Sequence, residues 1–265
     1  MRQIEQMDLI PQVIQIAQTA GARIMAIYGC GQTPAHTKPD QSPLTEADLA
    51  SHECLAAGLA GLGLGYPVVS EEDAASLQHR RPDNRFWLLD PLDGTKEFLH
   101  RNGEFTVNIA LIDEGRPILG VVAAPALGCL YWAAQGQGAY RVSADGAKKI
   151  HVTSTQMASK SAVRVVASRS HLDAATQDFI DRLGCVSLVQ VGSSLKFCMV
   201  AEGQADIYPR FGPTCEWDTA AAQVIVEEAG GVVVGLDGLP LRYGKPEVMN
   251  PFFMVACALE ALPHD

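Results

Sequence analysis

With 265 residues, 48% hydrophobic and 19% charged, the chain suffices for one large domain or two halves sharing a face, and its composition is that of a soluble globular protein. Its 20 basic and 30 acidic residues give a formal net charge of -10, which argues against electrostatic capture of nucleic acid or an anionic membrane. The seven scattered cysteines include no Cys-x-x-Cys pair, so neither a disulfide framework nor a thiolate zinc site is expected, and a reducing compartment is the simplest setting.

The opening MRQIEQMDLI has no basic stretch leading into a long apolar core, so no secretory signal is expected and it reads as the start of a helix. From Asp8 to about Tyr28, Leu9, Val13, Ile16, Ala17, Ala20, Ile24 and Ile27 recur at helical spacing, with Gly29 as the stop. After a loop, TEADLASHECLAAGLAG reads as a second helix capped by Thr45, and YPVVSEED as a strand running into an acidic turn. RFWLLDPLDGT repeats that plan. Asp90 ends an apolar strand, Pro91 interrupts the ladder, and Asp93-Gly94 turns the chain into a short helix capped by Thr95.

Pro117 to Tyr140 carries no charge and is long enough to cross a bilayer. Gly120, Pro125 and Gly128 break it, however, and ILGVVAA and CLYWAA around PALG read as a buried hairpin. With FTVNIALI before and GAYRV after, the stretch from Phe105 to about Ile150 predicts a strand meander. Beyond Ala162 the pattern alternates: VRVVAS as strand, Leu172 to Leu183 as helix, CVSLVQV as strand, SLKFCMVAEG as helix, then ADIYPRF. Trp217 to Ala229 is a helix closed by Gly230-Gly231, with VVVG as a strand after it. These elements predict a layered α/β architecture in two halves, 1–155 and 156–265, forming one compact catalytic unit with the boundary near 150–162.

Glu71, Asp90, Asp93 and Asp218 each fall at a strand end or a helix start, where α/β proteins place ligand sites. Singly, each has an ordinary explanation as a turn acid or an acid stabilised by a helix dipole. Together they repeat one design. Their oxygens and the Leu92 carbonyl, with no imidazole or thiolate, select magnesium or manganese over zinc. Clustered carboxylates need a compensating positive charge. Lys96 is the only basic residue within SEED, DPLDGTKEF and EWDTAA, so a metal rather than a basic side chain is expected to supply it. Two such ions about 4 Å apart suit in-line displacement at phosphorus. Backbone N–H groups at Gly94 and Thr95 would hold the remaining phosphate oxygens. A phosphatase is the activity these parts imply.

SEED, DPLDGTKEF and EWDTAA, in that order, resemble the three signature segments of the lithium-sensitive, magnesium-dependent inositol monophosphatase superfamily. GTKEFLHRNGEFTVNIALI, ASRSHL, GSSLKFCMVAEGQADIYPRFGPT and WDTAA more closely resemble its bacterial 3'(2'),5'-bisphosphate nucleotidase branch, and the likeness runs from the first helix nearly to the end. The resemblance implies an α-β-α-β-α sandwich that hydrolyses 3'-phosphoadenosine 5'-phosphate (PAP) to AMP and phosphate in sulfur assimilation. It implies two or three magnesium ions, with manganese as a substitute.

The resemblance assigns metal binding to Glu71, Asp90, the Leu92 carbonyl, Asp93 and Asp218, and activation of the attacking water to Asp48 and Thr95. Substrate contacts fall to Glu71, Gly94, Thr95, His171, Ser193, Lys196, Arg210 and Asp218, with Ser193, Lys196 and Arg210 near the second phosphate. Thr45-x-x-Asp48 is equally a capping box, and both roles of Asp48 could coexist. Taken alone, Lys196 and Arg210 read as solvated surface charge. Cys215 and Glu216 are read as a variable position.

DGTKEF in place of the inositol enzymes' DGT-x-N-F, together with FGPT, favours the nucleotidase over an inositol or sugar monophosphatase. A noncatalytic module would lack one of Asp90, Asp93, Thr95 or Asp218, and all four are present. The expected partner is a small-molecule substrate and not nucleic acid. The resemblance places the chain in the cytoplasm and leaves open peripheral attachment to the cytoplasmic face of the inner membrane, and a monomer or a homodimer.

Overall fold

The apolar run Phe86–Asp93 is β4, an inner strand of a seven-stranded sheet, in a computed structural model that describes residues 3–31, 34–38, 43–154, 162–170 and 172–261. Its parallel neighbour is β3 (Val68–Ser70). On its other side β5 (Thr106–Asp113), β6 (Arg116–Ala124), β7 (Cys129–Ala134), β8 (Gly138–Ser143) and β9 (Gly146–Ile150) follow as an antiparallel meander. The uncharged stretch is thus the β6–β7 hairpin, and no helix among the described residues is long and apolar enough to cross a membrane.

A second sheet has the order β11-β10-β12-β14-β13, with β10 (Val163–Ser168) parallel to β11 (Val186–Val191) and to β12 (Ile207–Arg210). The strand β14 (Phe253–Ala256) inserts antiparallel between β12 and β13 (Val232–Gly235). Helices α1 (Gln3–Gly29) and α2 (Glu46–Ala60) cover the outer face of the first sheet. Between the sheets lie α5 (Leu195–Ala201) and α6 (Glu216–Glu228), and α4 (Ala174–Arg182) closes the far side. The expected α-β-α-β-α order of layers is present.

Because the inner strands β4, β5 and β6 are covered on both faces, they read as largely apolar runs instead of alternating ones. Along β4, Trp87 and Leu89 pack under α1 and α2 with Val13, Ile24 and Leu55, while Phe86 and Leu88 turn toward the central helices and meet Phe197, Ala221 and Ile225. In the second sheet Val166 faces the central helices, and Val165 and Ala167 pack against Phe179 and Ile180 of α4. Each large side chain buried in this way contributes about 1.5–3 kcal/mol.

Several elements depart from expectation. Strands β9 and β14, and the β1–β2 pair (Ala35–Thr37 with Pro43–Thr45), were not predicted. Most of β9 is exposed and β14 is only four residues long, so neither carries a usable periodicity. Pro91 does not end β4, which continues to Asp93 through a register shift. Thr95 is not a cap: Gly94, at φ 93°, precedes the short helix α3 (Thr95–Leu99), and Thr95 is its first residue.

Gly120 marks the tightest approach of sheet to helix. A Cβ there would lie 2.2 Å from the carbonyl oxygen of Ala221 in α6, so only glycine allows this separation. Gly120→Ala must therefore push α6 outward, and the expected cost is roughly 1–3 kcal/mol by urea denaturation. A urea midpoint equal to that of the parent protein would show that the helix can yield.

Candidate active site

The register shift in β4 determines where the acids point. Asp90 pairs with Asn108 and Asp93 with Thr106, two residues apart on β5, so both aspartates stand on the same face of the sheet. In an unbulged strand, positions three apart would face opposite ways. Ser51 of α2 donates to the Pro91 carbonyl at 2.7 Å, and the Leu92 amide donates to Asp90 Oδ1 at 3.1 Å, which fixes the bulge from both sides.

Glu71 follows β3, its amide bonded to the Leu89 carbonyl at 3.2 Å. Asp218 sits in the first turn of α6, where its Oδ2 accepts the Cys215 amide at 2.7 Å. Carboxylate oxygens of Glu71, Asp90 and Asp218 lie within 4.8 Å of one another. Burial, then Glu71, Asp93 and Asp218, push the Asp90 carboxyl well above the usual range. Burial, Asp93 and Glu71 do the same to Asp218. Such a set of hard oxygens, each costly to ionise alone, fits a divalent cation.

One cation already stands beside this cluster. Lys38 Nζ reaches Glu71 Oε1 at 2.7 Å and Glu72 Oε1 at 2.6 Å. Lys38 lies outside the three acidic segments and is brought in by the chain leading out of β1, so at these two glutamates a basic side chain that was not expected adds to the positive charge expected from a metal.

Asp93 is held differently. Its Oδ2 accepts the Ser194 amide at 2.6 Å and Ser194 Oγ at 2.7 Å, with Asn108 Nδ2 at 3.3 Å and Thr106 Oγ1 at 3.4 Å. With one oxygen committed, the other stays available to the cleft.

Asp48 performs two tasks with two oxygens. Oδ2 accepts from the Thr45 amide at 2.7 Å and Thr45 Oγ1 at 2.6 Å, closing the capping box of α2. Oδ1 accepts from Thr95 Oγ1 at 3.0 Å. Burial pushes the Asp48 carboxyl up against the opposing effect of these hydrogen bonds. Thr95 Oγ1 also lies 3.3 Å from the Leu92 carbonyl oxygen. The capping role and the link to the cluster coexist.

These groups line a cleft of about 280 Å³ that Glu71, Asp90, Leu92, Asp93, Gly94, Thr95 and Asp218 share with Ser193, Lys196 and Arg210. His171 lies outside the described residues. The reading of Lys196 and Arg210 as surface charge does not hold: they are 5% and 8% exposed. Burial, which outweighs the attraction of Asp93, pushes Lys196 down to about 8, and Arg210 adds to the fall. Lys196 Nζ donates to the Ser193 carbonyl and stands 5.5 Å over the Tyr208 ring. Arg210 Nη2 donates to the Pro213 carbonyl at 2.8 Å.

Sequence reasoning missed Lys38, Asn108, Ser194 and Glu97, the last of which also lines the cleft. Asn108 had a signal, since it is the one amide in FTVNIALI, whose other residues except Thr106 are apolar. The others had none, because their partners are far away in the chain.

The profile of the inositol monophosphatase family matches residues 5–254. The chain belongs to that family. It is 47% identical over 250 residues to the 3'(2'),5'-bisphosphate nucleotidase CysQ of Escherichia coli, covering 94% of this chain and 99% of the relative. The enzyme of the same name from Haemophilus influenzae is 35% identical over 252 residues, 93% of this chain and 92% of its own. Among solved structures, CysQ of Bacteroides thetaiotaomicron superposes with a TM-score of 0.80 at 39% identity, covering 92% of this chain and 95% of that one. The Thermotoga maritima IMPase gives 0.77 at 25% identity, covering 94% and 92%. Inositol monophosphatase family enzymes are metal-dependent, generally on magnesium.

A cation that binds only the folded cluster must stabilise the fold. Magnesium at about 100 times its dissociation constant is expected to add about 2.7 kcal/mol. For a chain of this size that raises the melting temperature by roughly 5–10 °C over the chelated protein. A melting temperature indifferent to magnesium would remove the cluster as a metal site.

Proposed function

We propose that this chain is a 3'(2'),5'-bisphosphate nucleotidase that hydrolyses the 3'-phosphate of 3'-phosphoadenosine 5'-phosphate, giving AMP and phosphate. The observation that carries this reading is that one cleft holds two unlike charged groups, an oxygen cluster suited to a cation and the buried basic pair Lys196 and Arg210. A monophosphate has no use for the second. In a chain of net charge -10, two buried basic side chains lining one cleft concentrate positive charge where an anionic ligand can meet it. Relatives that bear the nucleotidase name, at 47% identity over nearly the whole chain, support the same reading.

Glu71, Asp90, Asp93, Asp218 and the Leu92 carbonyl would hold magnesium, which when bound supplies positive charge to the scissile phosphate. The chain's own residues do the rest. Thr95 Oγ1 spends its proton on Asp48, so its lone pairs face outward and can accept a hydrogen from a water lined up with phosphorus. As that water attacks, the bond from phosphorus to the ribose 3'-oxygen breaks, the proton leaving the water passes to the Thr95–Asp48 pair, and the departing 3'-oxygen takes a proton from solvent water to become the 3'-hydroxyl of AMP. The raised affinity of Asp48 for a proton suits it to this task. Gly94, at φ 93°, lets the backbone turn into α3 at the edge of the cleft, where the Gly94 and Thr95 amides can take phosphate oxygens.

Lys196 and Arg210, with Ser193, hold the 5'-phosphate. Arginine offers a planar fork and lysine a point charge, each worth roughly 1.5–3 kcal/mol to a phosphate, or about one to two orders of magnitude in binding.

Phosphate release from a panel of PAP, 3'-AMP and inositol phosphates tests the reading. PAP should be preferred, and Lys196→Ala or Arg210→Ala should raise its KM by about 10- to 100-fold while 3'-AMP hydrolysis hardly changes. A preference for inositol phosphates would make the chain a monophosphatase instead.

Two further outcomes follow from the same groups. Lys196 is a cation below about 8 and neutral above, so the KM for PAP should rise as pH climbs through that value, with no matching rise for 3'-AMP. Thr95→Ala should lower kcat far more than it changes KM, and Thr95→Ser should restore part of the rate. A Thr95→Ala enzyme that lost activity only in step with its melting temperature would show that the hydroxyl has no part in turnover.

A further inference from the structure

Two glutamates from the stretch that leads from α3 into β5 bond to loops of the second sheet. Glu104, between α3 and β5, accepts Arg169 Nε and Nη2 at 2.7 Å each and the Gly192 amide at 2.8 Å. Arg169 follows β10, and its Nη2 also donates to the Gln190 carbonyl of β11 at 2.6 Å. Glu97 of α3, itself buried, accepts Ser170 Oγ at 2.6 Å. Gly192 makes the approach feasible, since a Cβ there would lie 2.5 Å from Glu97 Cγ and 2.7 Å from the Glu104 carbonyl oxygen. Ser193 follows in the left-handed region at φ 50°, and Ser194 bonds to Asp93 Oδ2 through both its amide and its hydroxyl. The segment that leads into Lys196 is therefore tied to Glu104 at one end and to the acidic cluster at the other.

We propose that the Glu104–Arg169 pair is a positioning device that sets the span between the metal cluster and the Lys196–Arg210 locus, and so decides between bisphosphate and monophosphate substrates. This inference rests on the bisphosphate reading above. A two-point guanidinium–carboxylate contact fixes orientation as well as distance. Arg169 and Glu104 are 46% and 19% exposed, and a partly exposed pair of this kind adds little to global stability. The span matters only to a ligand that touches both ends, and small misplacements of such a ligand are costly. A 3'-monophosphate touches one end and is indifferent to it.

Glu104→Gln, Arg169→Ala and the double variant, assayed with magnesium on PAP and on 3'-AMP, test this. Each single change is expected to raise the KM for PAP roughly tenfold with kcat within about twofold, and the double variant to be no worse than the poorer single one. Hydrolysis of 3'-AMP, the melting temperature and its rise with magnesium should stay as in the parent protein. Parallel losses on both substrates that follow a fallen melting temperature would make the pair a tie between layers and overturn the inference. Additive effects in the double variant would also overturn it, since the two side chains would then act separately. A parent protein that does not favour PAP over 3'-AMP would overturn the bisphosphate reading itself, and this inference with it.

Discussion

Mutual repulsion among carboxylates at the buried ends of strands is the constraint that the site's surroundings answer. Asp90 and Asp218 are placed where burial and their neighbours both penalise ionisation, and the one local amide that each accepts, from Leu92 and Cys215, offsets only part of that cost. Relief comes from three directions. Asp93 draws hydrogen bonds from Ser194, Asn108 and Thr106, Glu71 and Glu72 draw on Lys38, and the remaining oxygens converge on a volume suited to a divalent cation. A cluster of this kind persists only if its frame cannot relax. The bulge in β4 between helix α2 and strand β5 supplies that frame.

The layered architecture turns the constraint into chemistry. The strands β3 and β4 of the first sheet and β10, β11 and β12 of the second send their carboxyl ends or following loops to one cleft, with α6 supplying Asp218 from between the layers. The acids come mainly from the ends of β3 and β4, and the buried basic pair from α5 and the end of β12. A ligand with two phosphates can answer both at once, whereas a single phosphate answers one. The economy of Asp48, which caps α2 with one oxygen and bonds to Thr95 with the other, couples the Thr95–Asp48 pair to a helix end that cannot move without losing its cap.

Much of this was legible in the chain. Period and punctuation located α1, α2, α6 and the meander within a few residues, because helical spacing and glycine or proline breaks are local properties. The acids of the cluster were legible as well, since carboxylates placed after apolar runs stand out against a buried background. Less visible was Asn108, whose polarity within an apolar strand hinted at a task and whose partner did not.

What the sequence by itself determined is the inventory: a layered α/β set of elements and carboxylates placed after apolar runs with no imidazole or thiolate among them, while the order of the layers and the pairing of Thr95 with Asp48 came from the family resemblance. Only the tertiary structure decided how these meet. It carried Pro91 through a bulge instead of ending the strand, made Gly94 the residue before α3 and so freed Thr95 for Asp48, and drew Lys38 to Glu71. It also buried Lys196 and Arg210, which the chain alone presents as surface charge. The reason is physical. Propensity and periodicity act over a few residues, whereas burial and electrostatic pairing depend on which distant segments the packed layers bring within a few ångströms, and no local pattern encodes that distance.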